Sequence, residues 1–343
     1  MGLTLQGNSV LFDNISYLIK YYYIPLGNRM PEEILMTSQA FIRQECLADL
    51  ESRYIVHKLW EANDRDALIE RVASDIKVIV TEHWAPAEFQ SKFPKLELIA
   101  SFGVGYDGVD VEAAQARNIA VTNTPGVLDD AVADLAAGLL IAVTRGMVVG
   151  DQYVRNGEWL KSNMPLMSHL RGRQAGILGL GRIGMAIADR LKAFGITINY
   201  HNRRQRSDVS YNYFLSLTEM AEQVDFLILS CVGGESSKKI VNREVMEKLG
   251  SEGVLINISR GSVVDEDELV ACLKEGKLGG AGLDVFTNEP KVPEALFKMP
   301  QVVLQPHVGS ATVQTRIAMG QLVVDNVDAY YANKSLLTTV PAI

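Results

Sequence analysis

The sequence predicts an α/β protein built on two parallel sheets, one unit inserted into the other. Three observations carry this. Short apolar runs alternate with helical patterns along the chain, as strand–helix–strand units do. One run, Gln174-Ala-Gly-Ile-Leu-Gly-Leu-Gly-Arg-Ile-Gly184, ends in Gly179-x-Gly181-x-x-Gly184 and leads into a helical pattern over Met185 to Phe194. That motif opens the first unit of a nucleotide-binding sheet, yet here it begins at residue 174 of 343. The residues before it are too many for a leader and predict an α/β unit of their own, which the glycine-rich unit interrupts.

The elements follow in order. Residues 1–29 fit no part of the pattern. Leu11 to Tyr23 is neither a clean signal peptide nor a clean helix, because Asp13 and Lys20 break its apolar run. Met30 is the expected start of the folded chain, and 1–29 an N-terminal extension. Strands are predicted at Glu33–Ser38, Tyr54–Leu59, Ile76–Thr81, Leu96–Ser101 and Ile119–Thr122. Pro125-Gly126 and the helix from Asp130 make a first crossing between units. The apolar run Ala131–Val143, interrupted by Asp134, is too short for a membrane span and reads as a buried helix. The fingerprint strand follows, then strands at Ile196–Tyr200, Phe226–Ser230, Val254–Ile258, Gly280–Val285 and Val302–Gln305. His307-Val308-Gly309 makes the second crossing. The expected division is 30–129 with 310–343 for a substrate-binding domain and 130–309 for a dinucleotide-binding domain. These are two Rossmann-like domains with parallel sheets, the cofactor domain inserted in the substrate domain.

Composition excludes several classes. The chain is 48% hydrophobic and 22% charged, as ordinary globular proteins are. Its net charge of -8, from 33 basic and 41 acidic residues, gives no global basic field for nucleic acid. Cys46, Cys231 and Cys272 are far apart and form no CxxC, so they read as reduced, mostly buried residues of a cytoplasmic protein. Five scattered histidines suggest no metal site, and no membrane partner is expected.

The glycines divide the work of holding a dinucleotide. Gly179 permits the tight turn, Gly181 lets the backbone approach the pyrophosphate at the helix N-terminus, and Gly184 lets helix and strand pack closely. The next strand reads the ribose. An acidic residue at its end would take a 2′-hydroxyl, but here the strand ends at neutral Asn202, followed by Arg203, Arg204 and Arg206. Guanidinium groups match a phosphate dianion in charge and shape. The cofactor therefore reads as NADP(H).

Three charged groups follow strand ends in the C-terminal half: Arg260, Glu289 and His307. Ligands of open parallel sheets bind outside those ends. Reducing a ketone by hydride leaves an alkoxide that needs a proton, and a keto acid also needs a cation for its carboxylate. Histidine is the usual donor near neutral pH. A carboxylate on its other nitrogen sets the tautomer and favours imidazolium. An arginine fork holds the carboxylate and polarises the carbonyl. His307, Glu289 and Arg260 fit these roles.

On these residues the chain resembles the D-isomer-specific 2-hydroxyacid dehydrogenases over roughly residues 30–343. The matching pieces are Ser101-Phe-Gly-Val-Gly-Tyr-Asp107, Asn123-Thr-Pro-Gly-Val-Leu128, Leu170-Arg-Gly-Arg173, Gly179-Leu-Gly-Arg-Ile-Gly184, Asn257-Ile-Ser-Arg-Gly261, Gly280-Ala-Gly-Leu-Asp-Val-Phe286, Asn288-Glu-Pro290 and Pro306-His-Val-Gly-Ser310. Within the family it is most similar to the NADPH-preferring glyoxylate/hydroxypyruvate and hydroxyphenylpyruvate reductases. The resemblance implies a catalytic set of Arg260, Glu289 and His307. It implies that the amides of Val104 and Gly105 bind the substrate carboxylate together with Arg260 and His307, and that Asp284 orients the nicotinamide amide. Arg182, Ile183, Cys231, His307 and Gly309 join the expected cofactor contacts. A homodimer around the crossing helices is implied too. Residues 1–29 match nothing in the family. Cys231-Val-Gly-Gly-Glu235 departs from the proline-threonine loop that many members carry near the adenosine ribose.

The loop Val104-Gly105-Tyr106 predicts a narrow space above the carboxylate. Trp159 and Met164-Pro165-Leu166-Met167 are candidates for the far wall, from the same chain or from a partner subunit. A tight pocket favours glyoxylate and hydroxypyruvate, whereas a methionine-lined one adapts to an aryl group. The reading is NADPH-dependent reduction of small 2-keto acids to 2-hydroxy acids. Its alternatives are hydroxyphenylpyruvate reduction and, in another class, a non-catalytic cofactor-sensing binding protein of corepressor type. Neutral Asn202 argues against NAD-linked phosphoglycerate oxidation.

Overall fold

A computed structural model describes residues 31–39 and 43–341. The expected N-terminal extension, residues 1–29, lies outside the described residues. The first half carries β1 (Glu33–Met36), β2 (Ile55–Lys58), β3 (Val78–Thr81), β4 (Trp84–Ala85), β5 (Leu98–Ser101), β6 (Gly108–Val109) and β7 (Ala120–Thr122). Five of these make a parallel sheet in the order β2-β1-β3-β5-β7, with Ile34 opposite Val78, Val78 opposite Leu98 and Leu98 opposite Ala120. The runs Val-Ile-Val-Thr and Leu-Ile-Ala-Ser are buried at every position, as strands covered on both faces must be. β4 and β6 pair separately in a short parallel ladder.

The second half carries β8 (Gln174–Leu178), β9 (Thr197–His201), β10 (Asn212–Tyr213), β11 (Phe226–Leu229), β12 (Val254–Asn257), β13 (Gly280–Leu283) and β14 (Val302–Leu304). They form one parallel sheet in the order β10-β9-β8-β11-β12-β13-β14. The chain runs from β8 to β9 on one side and later to β11 on the other. This reversal opens a crevice at the carboxyl ends of the central strands, where such sheets bind ligands.

The ten strands expected beside the fingerprint strand are all present within a residue or two. The sequence reading missed β4, β6 and β10, because a two-residue strand shows no periodicity. The fingerprint helix runs Arg182–Ala193 rather than from Met185, since Gly181 is its N-cap.

The crossing helix, Asp129–Thr144, is rich in alanine and leucine and buries Val132, Ala133, Ala136, Ala137, Leu139 and Leu140. The last helix, Val313–Tyr331, returns to the first sheet. Its Met319, Val323, Val324 and Val327 join one core with Ile34, Val80 and Leu98, and that core continues through Val132 and Leu140 to Ile177 and Ile256. Each fully buried side chain of this kind contributes about 1.5–3 kcal/mol. The chain then lies beside β7, where Val340 N donates to Val121 O at 2.9 Å. Cys46 and Cys272 are buried, Cys231 is half-buried, and all three thiols are free. Among the described residues no single helix is long and apolar enough to cross a membrane, and no cluster of three His, Cys, Asp or Glu is placed to hold a metal ion.

Candidate active site

The glycine loop is built to receive an anion. Gly179 has φ of 98°, and a side chain there would strike the Cys231 backbone at 2.5 Å. Gly181 N donates to Gly179 O at 2.8 Å, which tightens the turn. The 12-residue helix that follows has no side-chain cap at Gly181. The first amides of such a helix have no intrahelical acceptor, so Arg182, Ile183 and Gly184 present theirs at the positive end of the dipole. The space above Gly181 is open to 4 Å. These features fit a pyrophosphate.

Asn202 follows β9 and serves this loop directly. Leu180 N donates to its Oδ1 at 2.6 Å. Arg206 belongs to the loop as well: it donates to Leu180 O at 2.8 Å and pairs with Asp208. Three of its five guanidinium N–H groups are used in this way. Arg203 and Arg204 are exposed, and neither has a hydrogen-bond or ion-pair partner among the described residues. Cys231 sits under Gly179. Burial pushes its thiol up to about 11, against a backbone hydrogen bond and one from Ser259 that lower it, so at neutral pH it is a protonated thiol.

Opposite this loop, residues 103–106 form a row of donors. Gly103 O accepts from Thr124 N at 2.9 Å, Val104 O from Asn123 Nδ2 at 2.9 Å, and His83 Nδ1 lies 2.7 Å from Gly105 O. A planar trans peptide points its N–H away from its C=O. Holding three successive carbonyls therefore aims the amides of Val104, Gly105 and Tyr106 the other way. None of the three has a backbone acceptor among the described residues. Such consecutive donors suit a carboxylate. Asn123, Thr124 and His83 were not singled out from the sequence as site residues.

Arg260 follows β12, with its backbone carbonyl held by Asn257 Nδ2 at 2.9 Å. Its Nε donates to Asp107 at 3.1 Å and one terminal nitrogen to Ser259 O at 2.9 Å. The other terminal nitrogen lies against Gly105, where a Cβ would come within 1.8 Å of it. The crevice thus gathers an arginine N–H beside the row of amides.

Glu289 and His307 follow the next two strands. His307 Nδ1 lies 2.7 Å from Glu289 Oε2, and Glu289 Oε1 accepts from Phe286 N at 2.9 Å. Burial raises the Glu289 carboxyl, but these two bonds outweigh it and the net shift is downward. Glu289 accepts only when ionised on both oxygens, so His307 carries hydrogen on Nδ1. His307 has a left-handed backbone, φ 53°, which only a firmly held loop retains. Asp284 supplies that hold. Its backbone oxygen accepts from His307 N at 2.8 Å, and its carboxylate accepts from Val308 N at 2.7 Å and Gly309 N at 2.9 Å. Burial raises the Asp284 carboxyl, against those two amides. Gly309 is thereby packed between Asp284 and Val132.

Of the residues expected at the far wall, two lie beside the bend at Gly146. Trp159 and Leu166 are exposed, together with Met147, Val148, Val154 and Leu160. Met164 and Met167 close on the bend at Gly146 between the crossing helix and Met147–Arg155.

Comparison with known proteins gives a consistent picture. The family described as D-isomer specific 2-hydroxyacid dehydrogenase, NAD binding domain, matches residues 137–309. Glyoxylate/hydroxypyruvate reductase A HPR2 of Arabidopsis thaliana is 46% identical over 294 residues, 85% of this chain and 94% of that one. Hydroxyphenylpyruvate reductase of Plectranthus scutellarioides is 45% identical over 294 residues, with the same coverage of 85% and 94%. The crystal structure of an NADPH-dependent glyoxylate/hydroxypyruvate reductase from Sinorhizobium meliloti, in complex with NADP and malonate, superposes with a TM-score of 0.84 at 44% identity. It covers 92% of this chain and 100% of that one.

Proposed function

The chain belongs to the D-isomer-specific 2-hydroxyacid dehydrogenase family, and from that premise we propose that it reduces small 2-keto acids, glyoxylate and hydroxypyruvate first, with NADPH. The observation that carries the reading is the His307–Glu289 pair at 2.7 Å on strand ends next to Arg260, facing the row of amides. A corepressor-type binding role would not need a proton donor held in this way, and the relatives at 45–46% identity are named as reductases.

The site divides the reaction. The amides of Val104 and Gly105, with the Arg260 nitrogen beside Gly105, hold the substrate carboxylate and polarise the neighbouring carbonyl. NADPH, when bound, supplies the hydride that adds to the carbonyl carbon. His307 Nε2 gives its proton to the oxygen, so that the alkoxide leaves as a hydroxyl and the ring becomes neutral. Glu289 keeps Nδ1 protonated, which leaves Nε2 for the substrate oxygen. Gly179, Gly181 and the amides of Arg182, Ile183 and Gly184 are the proposed pyrophosphate site. Arg203 and Arg204 are proposed to grip the 2′-phosphate, which their freedom from other partners supports. Asp284 is proposed to orient the nicotinamide amide as well as the 307–309 loop, and Cys231 and Gly309 border the cofactor.

The division into residues 30–129 with 310–343 and residues 130–309 is part of the same reading. So is a homodimer, supported by the exposed Met147, Trp159, Leu160 and Leu166 beside the crossing helix. The free cysteines support a cytoplasmic location. Steady-state rates for glyoxylate, hydroxypyruvate, hydroxyphenylpyruvate and pyruvate, each with NADPH and with NADH, test the proposal. Turnover of none of them would overturn it. A clear preference for the aryl acid would move the assignment to hydroxyphenylpyruvate.

A further inference from the structure

Arg203 and Arg204 are given to the 2′-phosphate above, and Arg206 is left without a task in cofactor binding. The structure joins it to the glycine turn. Its Nη1 donates to Leu180 O at 2.8 Å, and Leu180 stands between Gly179 and Gly181. Its Nε donates to Asp208 Oδ1 at 2.9 Å, and Nη2 donates to the other oxygen of that carboxylate. Two parallel bonds of this kind fix the plane of a guanidinium, so Asp208 turns Nη1 toward Leu180.

The backbone around Arg206 is itself tied down. Arg206 N donates to the Tyr200 hydroxyl at 2.9 Å, and the Tyr213 hydroxyl donates to Asn202 O at 3.1 Å. Tyr200 is fully buried in β9 and lies beside Tyr213 of β10, with ring centroids 5.4 Å apart. Residues 202–206 are thus anchored on the sheet, and the turn is anchored on them.

Both peptide planes of the turn depend on that segment. A trans peptide points its N–H and its C=O in opposite directions. In the plane between Gly179 and Leu180, Leu180 N donates to Asn202 Oδ1 at 2.6 Å, while Gly179 O accepts from Ser230 Oγ at 2.9 Å. In the next plane, Leu180 O accepts from Arg206, and Gly181 N donates to Gly179 O at 2.8 Å. The amides of Arg182, Ile183 and Gly184 follow directly on Gly181. The second plane therefore sets where the helix N-terminus points.

We propose that Arg206 is a positioning residue for the pyrophosphate turn, aimed by Asp208 and acting through Leu180 O, and that it serves NADPH and NADH alike. This rests on the cofactor site proposed above and deepens it. The arginines then divide by task. Arg203 and Arg204 are exposed and free for the 2′-phosphate, whereas Arg206 holds the turn that both dinucleotides share.

The test is Arg206→Ala, read by binding. NADPH and NADH are titrated by cofactor fluorescence. Calorimetry follows 2′-AMP, which has the 2′-phosphate and no pyrophosphate. NADPH and NADH should weaken by the same factor, about tenfold, the size of one hydrogen bond from a charged group. Binding of 2′-AMP should stay as in the wild type, which also shows that the variant is folded. A loss confined to NADPH and 2′-AMP would make Arg206 a third reader of the 2′-phosphate and overturn the proposal, as would unchanged binding of all three. Asp208→Ala is a second variant, at an exposed position. It leaves Arg206 in place but no longer aimed, and NADH should weaken about threefold. NADH binding that is unchanged or tighter in Asp208→Ala overturns the proposal. A wild type that binds both cofactors, with Arg206→Ala equal to it, refutes this inference alone. A wild type that binds neither refutes the cofactor site and this inference with it.

Discussion

Asp107 and Arg260 meet across the crevice, with Arg260 Nε donating to the two Asp107 oxygens at 3.1 and 3.3 Å. Asp107 lies between β5 and β6 on the side of the first sheet, and Arg260 follows β12 of the second. The pair turns the guanidinium so that one terminal nitrogen reaches Ser259 O and the other faces Gly105. Both side chains are part-exposed, so the pair adds little to stability. Its effect is on orientation.

In Asp107→Ala the guanidinium loses that orientation. KM for glyoxylate should rise by about fivefold, the worth of roughly 1 kcal/mol of lost positioning, while the melting temperature moves little. Steady-state kinetics beside a thermal melt check both parts. An unmoved KM would mean that Ser259 O alone orients Arg260.

Much of this candidate site was legible in the sequence because each side chain proposed to react follows an apolar strand. Arg260, Glu289 and His307 each follow a run of buried β residues, so a parallel sheet must bring them to one edge. The residues that aim the backbone were not legible. Asn123, Thr124 and His83 act by holding the carbonyls of Val104, Gly103 and Gly105, and those contacts exist only once β4, β6 and the end of β7 are in place. Arg206 has a second task that its neighbours in sequence did not suggest, since Leu180 O and Asp208 engage it. Asn202 was read as a neutral strand end, and its bond to Leu180 N gives it a structural task that composition cannot reveal.

In the proposed reading Arg203 and Arg204 carry the cofactor preference. Replacing both with alanine should weaken NADPH about 30- to 100-fold, from the loss of charge-assisted contacts worth roughly 2–3 kcal/mol in all. NADH should be nearly unaffected. Titration of cofactor fluorescence separates the two, and equal weakening of both cofactors would take the arginines out of phosphate recognition.

His83 also leaves a mark on stability. Its folded value of about 4 lies below the ordinary 6.5. Between those two pH values the unfolded chain binds a proton that the folded chain does not, so stability falls as pH drops from about 6.5 toward 4. The loss across that window is on the order of 2–3 kcal/mol. Above 6.5 the group has no effect. Urea midpoints at pH 7 and pH 4.5 should therefore differ less in His83→Asn than in the wild type. Parallel slopes in the two proteins would show that the ring is not held neutral by the fold.

The proton donor is the last point, and its partner makes it testable. The proposed reduction takes its proton from His307, whose Nδ1 lies 2.7 Å from Glu289 Oε2. Burial raises the Glu289 carboxyl, but His307 and the Phe286 amide hold it below the usual 4.5, so the partner is ionised at neutral pH. Glu289→Gln removes that charge and should lower kcat/KM for glyoxylate roughly tenfold through lost orientation of the ring, with NADPH binding retained. His307→Asn removes the donor itself and should cost about 10²–10⁴ in rate, again with NADPH binding retained. Unchanged turnover in Glu289→Gln would separate the two residues. Near-normal turnover in His307→Asn would take the histidine out of the reaction, whatever its geometry.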